Sequence, residues 1–432
     1  MQKMNNTQTR EPLFHVIKRG SASKSKGYAA FVRFLAIVIG FLLSAIICAL
    51  LFKTTPFSVI GEMFNGVFGT ERRVWNAAKE TALLLGVGLA LVPAFKMKFY
   101  NLGGNGQILM GALAATACMF YLGGKMPDGV INIVMVITSI LAGAIWAVIP
   151  AIFKAFFKTN ESLFTLMMNY IAAVIVELCI TVWVPSGSGT LSPMIGAGNG
   201  NLPKIANNKY LLTLIVMAVI DVFMWLYLKK SKHGYELSVV GGSENTARYI
   251  GLNVKKVVIR TVALSGALCG VVGLMITGAF DYSISSSTAN NMGFTSIMVA
   301  WLAQFDPVAM IGTAFMIAFV TKGMGQVQTA FKITDNSVAQ VVTAIIYFCI
   351  IACRFFISYK IVVRNGSFVE TRKVFAKISE FFNKIFSPVG KFLKKCRIAV
   401  KNFFNKIFAA IGKFFKNLFT SNLKNKNKGD NE

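Results

Sequence analysis

VINIVMVITSILAGAIWAVIPAIF, residues 130 to 153, runs for 24 residues without one charged side chain. As a helix it is about 36 Å long, enough to cross about 30 Å of hydrocarbon. Apolar and polar residues do not alternate along it, which argues against a lipid-facing barrel strand. Inside a bilayer the backbone must satisfy its own hydrogen bonds, so the run reads as a transmembrane helix.

Working outward, similar apolar segments fall near 34 to 52, 77 to 95, 104 to 122, 162 to 184, 210 to 228, 257 to 280, 294 to 305, 307 to 321 and 338 to 359. With the first run they make ten. The chain is 55% hydrophobic and 14% charged, outside the range of soluble domains. The fold class expected is an all-α integral membrane protein with about ten transmembrane helices. The segments at 294 to 305 and 307 to 321 are short, separated only by Asp306 and Pro307, and read as half-helices or a re-entrant pair. The first apolar run is too long for a signal-peptide core and reads as an uncleaved first helix.

Lysine and arginine set the orientation. With both ends inside, the inner segments before the tail carry 17 of these residues and the outer loops carry 8. The expected order is a basic cytoplasmic N-terminus (1 to 33), a transmembrane domain (34 to 359) that includes a cytoplasmic loop at 229 to 256, and a basic cytoplasmic tail (360 to 432). In that tail FFNKIF at 381 to 386 returns at 403 to 408. Phe403, Phe404, Ile407, Phe408 and Ile411 share one helical face, with lysines on the other. With 17 basic against 4 acidic residues, the tail suits an amphipathic helix on anionic lipid. A phenylalanine stripe left in water makes nucleic acid a poor fit for it.

Catalytic signatures are missing. No GxxxxGK[ST], GxSxG or HExxH occurs, and Gly103, Gly104 and Gly106 do not complete a dinucleotide fingerprint. The seven cysteines show no CxxC spacing and the histidines number two, so neither a metal site nor imidazole chemistry is expected.

Intramembrane acids are the default functional positions, since such a charge costs about 2.5 to 3.5 kcal/mol at a helix centre. Glu177 and Asp221 qualify. Either forms a structural pair, touches solute, or relays protons in an ion-coupled secondary transporter, the rival class. Residues 101 to 107, Asn-Leu-Gly-Gly-Asn-Gly-Gln, form either a functional turn rich in backbone and amide hydrogen-bonding groups or an ordinary tight turn with a packing face. In the loop at 229 to 256, Ser243 can cap a short helix, Glu244 favours its first turn, Arg248 its last, and Gly251 can end it. Tyr249, Ile250 and Leu252 give that helix an apolar edge that fits a soluble partner's groove; a solvated linker is the alternative.

The chain resembles permease subunits of the ABC importers for nucleosides, simple sugars and branched-chain amino acids. YNLGGNGQILMGALAA at 100 to 115 is similar to that family's FNIGxEGQ signature, NESLFTLMMNYIA at 160 to 172 resembles its NEVxxTxMLNYIA segment, and GYELSVVGGSENTARYIGLNVKK at 234 to 256 resembles its loop. The resemblance implies that the loop couples to an ATPase subunit through Gly234, Glu236, Gly241, Glu244, Ala247, Arg248 and Gly251, with Glu236 and Arg248 the preferred pair. It implies a translocation path shaped by Asn101, Gly103, Gly104, Asn105, Gly106, Gln107, Asn160, Glu161, Asn169 and Tyr170. Asn105 stands where the family usually has an acid. The expected partners are an ATPase that holds ATP and Mg²⁺, a second permease chain and an extracytoplasmic binding lipoprotein, at a bacterial plasma membrane. No cofactor is expected on this chain. The solute favoured is a nucleoside, with a sugar or branched-chain amino acid as the alternative.

Overall fold

The computed structural model describes residues 14 to 18, 55 to 184, 200 to 332 apart from 207, and 359 to 363, with parts of 39 to 48 and 341 to 355. The first and last expected spans therefore lie partly outside the described residues, and the tail from 364 onward lies wholly outside them.

Two units are present. The smaller contains a two-stranded antiparallel ribbon, β1 (Phe14–Lys18) and β2 (Tyr359–Val363), in a register that pairs Phe14 with Val363 and Lys18 with Tyr359. The sequence reading did not anticipate these strands.

The larger unit is helical. Among the described residues its helices include α1 (Pro56–Phe68), α2 (Glu71–Lys96), α3 (Gly104–Leu122), α4 (Asp128–Phe157), α5 (Glu161–Trp183), α6 (Leu211–Lys230), α7 (Lys232–Gly242), α8 (Glu244–Tyr249), α9 (Val254–Met275), α10 (Met292–Leu302) and α11 (Pro307–Ala330). A π-helical turn, Ile276–Asp281, extends α9. Among the described residues seven helices are long and apolar enough to span a membrane: α2 to α6, α9 with its π turn, and α11.

One expectation about 294 to 321 is corrected. Only α10, with 11 residues, is short, whereas α11 runs to Ala330 as a full span. The residue just past the expected segment is Lys322. It is neutralised by the buried Glu80 of α2, 2.9 Å away, so the helix continues through it.

At the centre α9 packs on α4, α3 and α2. Small residues allow this: a Cβ at Gly266 would collide with the Gly143 carbonyl, and one at Gly270 with the Ser139 carbonyl. In lipid, where apolar burial does not drive helices together, close backbone approach supplies the packing energy.

Two levels bracket the bundle. At one, Phe120 and Tyr121 of α3 meet Trp183 of α5, whose Nε1 donates to the Tyr121 hydroxyl at 3.0 Å, an aromatic belt of the interfacial kind. At the other, Phe95 of α2 stacks on Phe305 after α10, and Lys229 at the end of α6 pairs with Asp306 at 3.0 Å.

Candidate functional site

Between those levels two helices begin inside the bundle. After α2 the chain turns at Lys98, which has φ 61°, and climbs back before α3 starts at Gly104. Its landing place is polar. Asn101, fully buried, accepts from Gly103 N and Gln107 Nε2 through Oδ1 (3.0 and 3.2 Å), while its Nδ2 donates to Gln107 Oε1 and Ser265 Oγ (3.3 and 3.2 Å). Asn169 of α5 closes the other side, donating to Leu102 O and accepting from Gly106 N, both at 2.8 Å. Thr165 Oγ1 accepts from Leu102 N at 3.1 Å. Asn169 is the ninth residue of α5 and Ser265 the twelfth of α9, so the junction lies about 12 to 16 Å from the starts of those helices.

The start of α10 meets the start of α3 here. Asn105 Oδ1 accepts the Gly293 N–H at 2.7 Å, and a Cβ on Gly104 would come within 3.2 Å of Gly293 Cα. Two helix N-termini, each a partial positive charge, thus converge on one carboxamide. A cleft of about 260 Å³ opens at this point, lined by Asn105, Leu109, Leu166, Asn169, Tyr170, Ala173, Ser286, Ser287, Ala289, Asn290, Asn291 and Phe294. Among the described residues no charged side chain is in that lining. Its walls offer amides, hydroxyls and two aromatic faces, the means of holding a neutral solute by hydrogen bonds and stacking.

Part of the expected path is therefore brought together. Asn105, Asn169 and Tyr170 line the cleft, and Asn101, Gly103, Gly104, Gly106 and Gln107 build the turn behind it. Asn160 and Glu161 are elsewhere. Asn160 caps α5 by accepting from Ser162 N and Leu163 N (3.1 and 3.2 Å), and Glu161 pairs with Lys154 at 2.7 Å. Sequence reasoning missed Ser286, Ser287, Asn290 and Asn291. The available signal was the polar run Ser283-Ile-Ser-Ser-Ser-Thr-Ala-Asn-Asn291. Left-handed backbone at Tyr282, Asn290 and Asn291 (φ 46°, 41° and 56°) and the preceding π turn give this segment the strained geometry that collects at functional sites.

The loop between α6 and α9 is ordered as two helices. Ser243 Oγ accepts from Thr246 N at 3.3 Å, Glu244 opens α8, Arg248 lies in its last turn, and Gly251 follows with φ 82°, as the capping pattern anticipated. Ala247 is buried, whereas Tyr249 is 92% exposed. The remaining loop residues do internal work. A Cβ at Gly241 would collide with the Lys96 carbonyl at the end of α2, and one at Gly234 with the carbonyls of Tyr227 and Leu228. Glu236 is buried and receives Arg260 Nη2 at 2.7 Å and faces His233 at 3.5 Å. The Arg260 hydrogen bond holds its carboxyl below the ordinary carboxylate range, against the opposing effect of burial. Glu236 is thus buried in a pair between α7 and α9, while Tyr249 and Ile250 of the following segment are exposed.

Neither intramembrane acid lines the polar cleft. Glu177 is exposed on α5, and Asp221 is buried on α6. Among the described residues no cluster of three or more metal-ligating side chains occurs.

Residues 79 to 352, more than half of the chain, match the family model described as the permease component of the branched-chain amino acid transport system. The chain is 29% identical over 325 residues to a guanosine ABC transporter permease protein of Bacillus subtilis, covering 73% of this chain and 92% of that one. It is 26% identical to a nucleoside ABC transporter permease protein of Lactococcus lactis (77% and 93% covered). To a glucose ABC transporter permease protein of Haloferax volcanii it is 25% identical (71% and 83% covered). The match takes in α3, the cleft and the α7–α8 loop alike, and this multi-pass membrane protein belongs to the family of branched-chain amino acid transport system permease components.

Proposed function

We propose that this permease carries nucleosides inward, driven by ATP that a separate ATPase subunit hydrolyses. The observation that carries the reading is α8: a capped helix between two spans, seated through Ala247 and presenting Tyr249 and Ile250 outward. Such a helix can move with a docked partner and transmit that movement to α6 and α9, biasing the bundle between outward and inward states. ATP and Mg²⁺ belong to that partner in this reading. A second permease chain would face the open side of the cleft, and an extracytoplasmic binding lipoprotein would deliver solute.

A cleft without charge among the described residues supports a neutral solute over an amino acid, whose carboxylate and ammonium would meet no counter-charge from them. Two relatives whose names specify guanosine or nucleoside support the same choice. Pairing of β1 with β2 supports both ends of the transmembrane domain lying on one side of the membrane, the cytoplasmic side by the positive-inside count.

Uptake of radiolabelled guanosine into proteoliposomes, with the ATPase and binding protein added, tests this. ATP-dependent uptake supports the proposal. Uptake driven by a proton or sodium gradient without ATP contradicts it.

A further inference from the structure

A second cavity, of about 600 Å³, lies apart from the polar cleft, between α2, α6 and α11 and against the end of α1. Among the described residues its walls are apolar apart from Thr81 and Asp221. Several lining residues, among them Phe68, Val222, Ile311 and Phe315, are exposed on spanning helices or beside them, and none of the lining residues belongs to the polar cleft. Asp221 is only 8% exposed. Among the described residues it makes no hydrogen bond or ion pair, and its Oδ1 is enclosed with no partner. Thr81 does not help, since its hydroxyl donates to the Ala77 carbonyl at 2.8 Å.

Asp221 is the eleventh of the 20 residues of α6, about 15 Å from either end and therefore near the bilayer midplane. A carboxyl there, facing an apolar cavity, is the arrangement that a ligand's donor would complete. We propose that this cavity binds a bilayer-dissolved molecule with an apolar body and a single small hydrogen-bond donor, a hydroxyl or amine, that pairs with the Asp221 carboxyl. Phospholipid headgroups stay about 15 Å away at the interface. An inorganic cation would need several oxygen ligands, and the lining supplies one carboxylate and one hydroxyl. An acyl chain alone would fill the volume and leave the carboxyl unanswered.

The test uses the purified full-length protein in phosphatidylcholine vesicles with two photoreactive probes, a diazirine-bearing long-chain primary alcohol and its methyl ether. They differ only in the donor. The expected result is labelling at Ile311 and Phe315 with the alcohol about tenfold more effective than the ether, the scale of one hydrogen bond to a carboxylate. Asp221→Leu should erase the difference, Asp221→Asn should keep part of it, and Ala218→Phe, which fills the space, should lower labelling by both probes. Equal labelling of the wild type by alcohol and ether would overturn the proposal, as would a preference that survives in Asp221→Leu. If Asp221→Leu does not fold, the wild-type comparison and Asp221→Asn still decide.

Discussion

The Asn105 carboxamide oxygen accepts the Gly293 backbone N–H at 2.7 Å, joining the start of α3 to the start of α10 across 188 residues of chain. That bond fixes two helix N-termini at one point of the bundle. In lipid a lost acceptor there is not replaced by bulk water, so the junction depends on it.

Asn105→Leu is expected to leave Gly293 N–H without a partner and to destabilise the protein by about 1 to 3 kcal/mol. Asn105→Asp keeps an acceptor while adding a charge at the cleft. Thermal unfolding in detergent should separate them, with the leucine variant clearly lower in Tm. Uptake of a neutral nucleoside should fall in both, in the aspartate variant without a matching loss of Tm.

Gly270→Ala places a methyl group against the Ser139 carbonyl. Forced overpacking of this kind costs about 1 to 3 kcal/mol. A lowered Tm with near-normal transport in the surviving fraction is expected. An unchanged Tm would mean that α4 and α9 are not so closely packed.

Glu236 should show its role through pH. Its carboxyl is held low by Arg260, so its stabilisation is complete above the unfolded value of about 4.3 and is lost as pH falls through the lower folded value. The Tm difference between wild type and Glu236→Gln should stay constant from pH 6 to 8 and shrink below about pH 4. A difference that grows on acidification would contradict the pairing.

Arg248 and Glu244 form an exposed pair at 3.6 Å, worth little to stability. Arg248→Ala and Tyr249→Ala should therefore leave Tm within about 0.5 kcal/mol equivalent of wild type. Solute-stimulated ATP hydrolysis by the assembled complex should drop, because the altered surface is the one offered to the partner. Full stimulation in the double variant would remove α8 from the coupling role.

Local signals revealed much of this structure. The uncharged run at 130 to 153 became α4, and the Ser243, Glu244, Arg248 and Gly251 pattern became α8 because capping is decided by neighbouring residues. What escaped depended on distant partners. Nothing near Lys322 announces that Glu80 will neutralise it, so α11 looked shorter than it is. Nothing beside Glu236 announces its pairing with Arg260, 24 positions on. Asn290 and Asn291 gain meaning only beside Asn105 and Asn169, and β1 only beside β2.

Most of the functional proposal turns on which compartment α8 faces. A single cysteine replacing Tyr249, in a background where accessible native cysteines are serine, can be challenged with a membrane-impermeant maleimide. Labelling only after the membrane is permeabilised is the expected result, with disulfide or bifunctional cross-linking to the ATPase in the assembled complex. Labelling from outside intact cells would contradict the coupling role and with it the ATP-driven cycle.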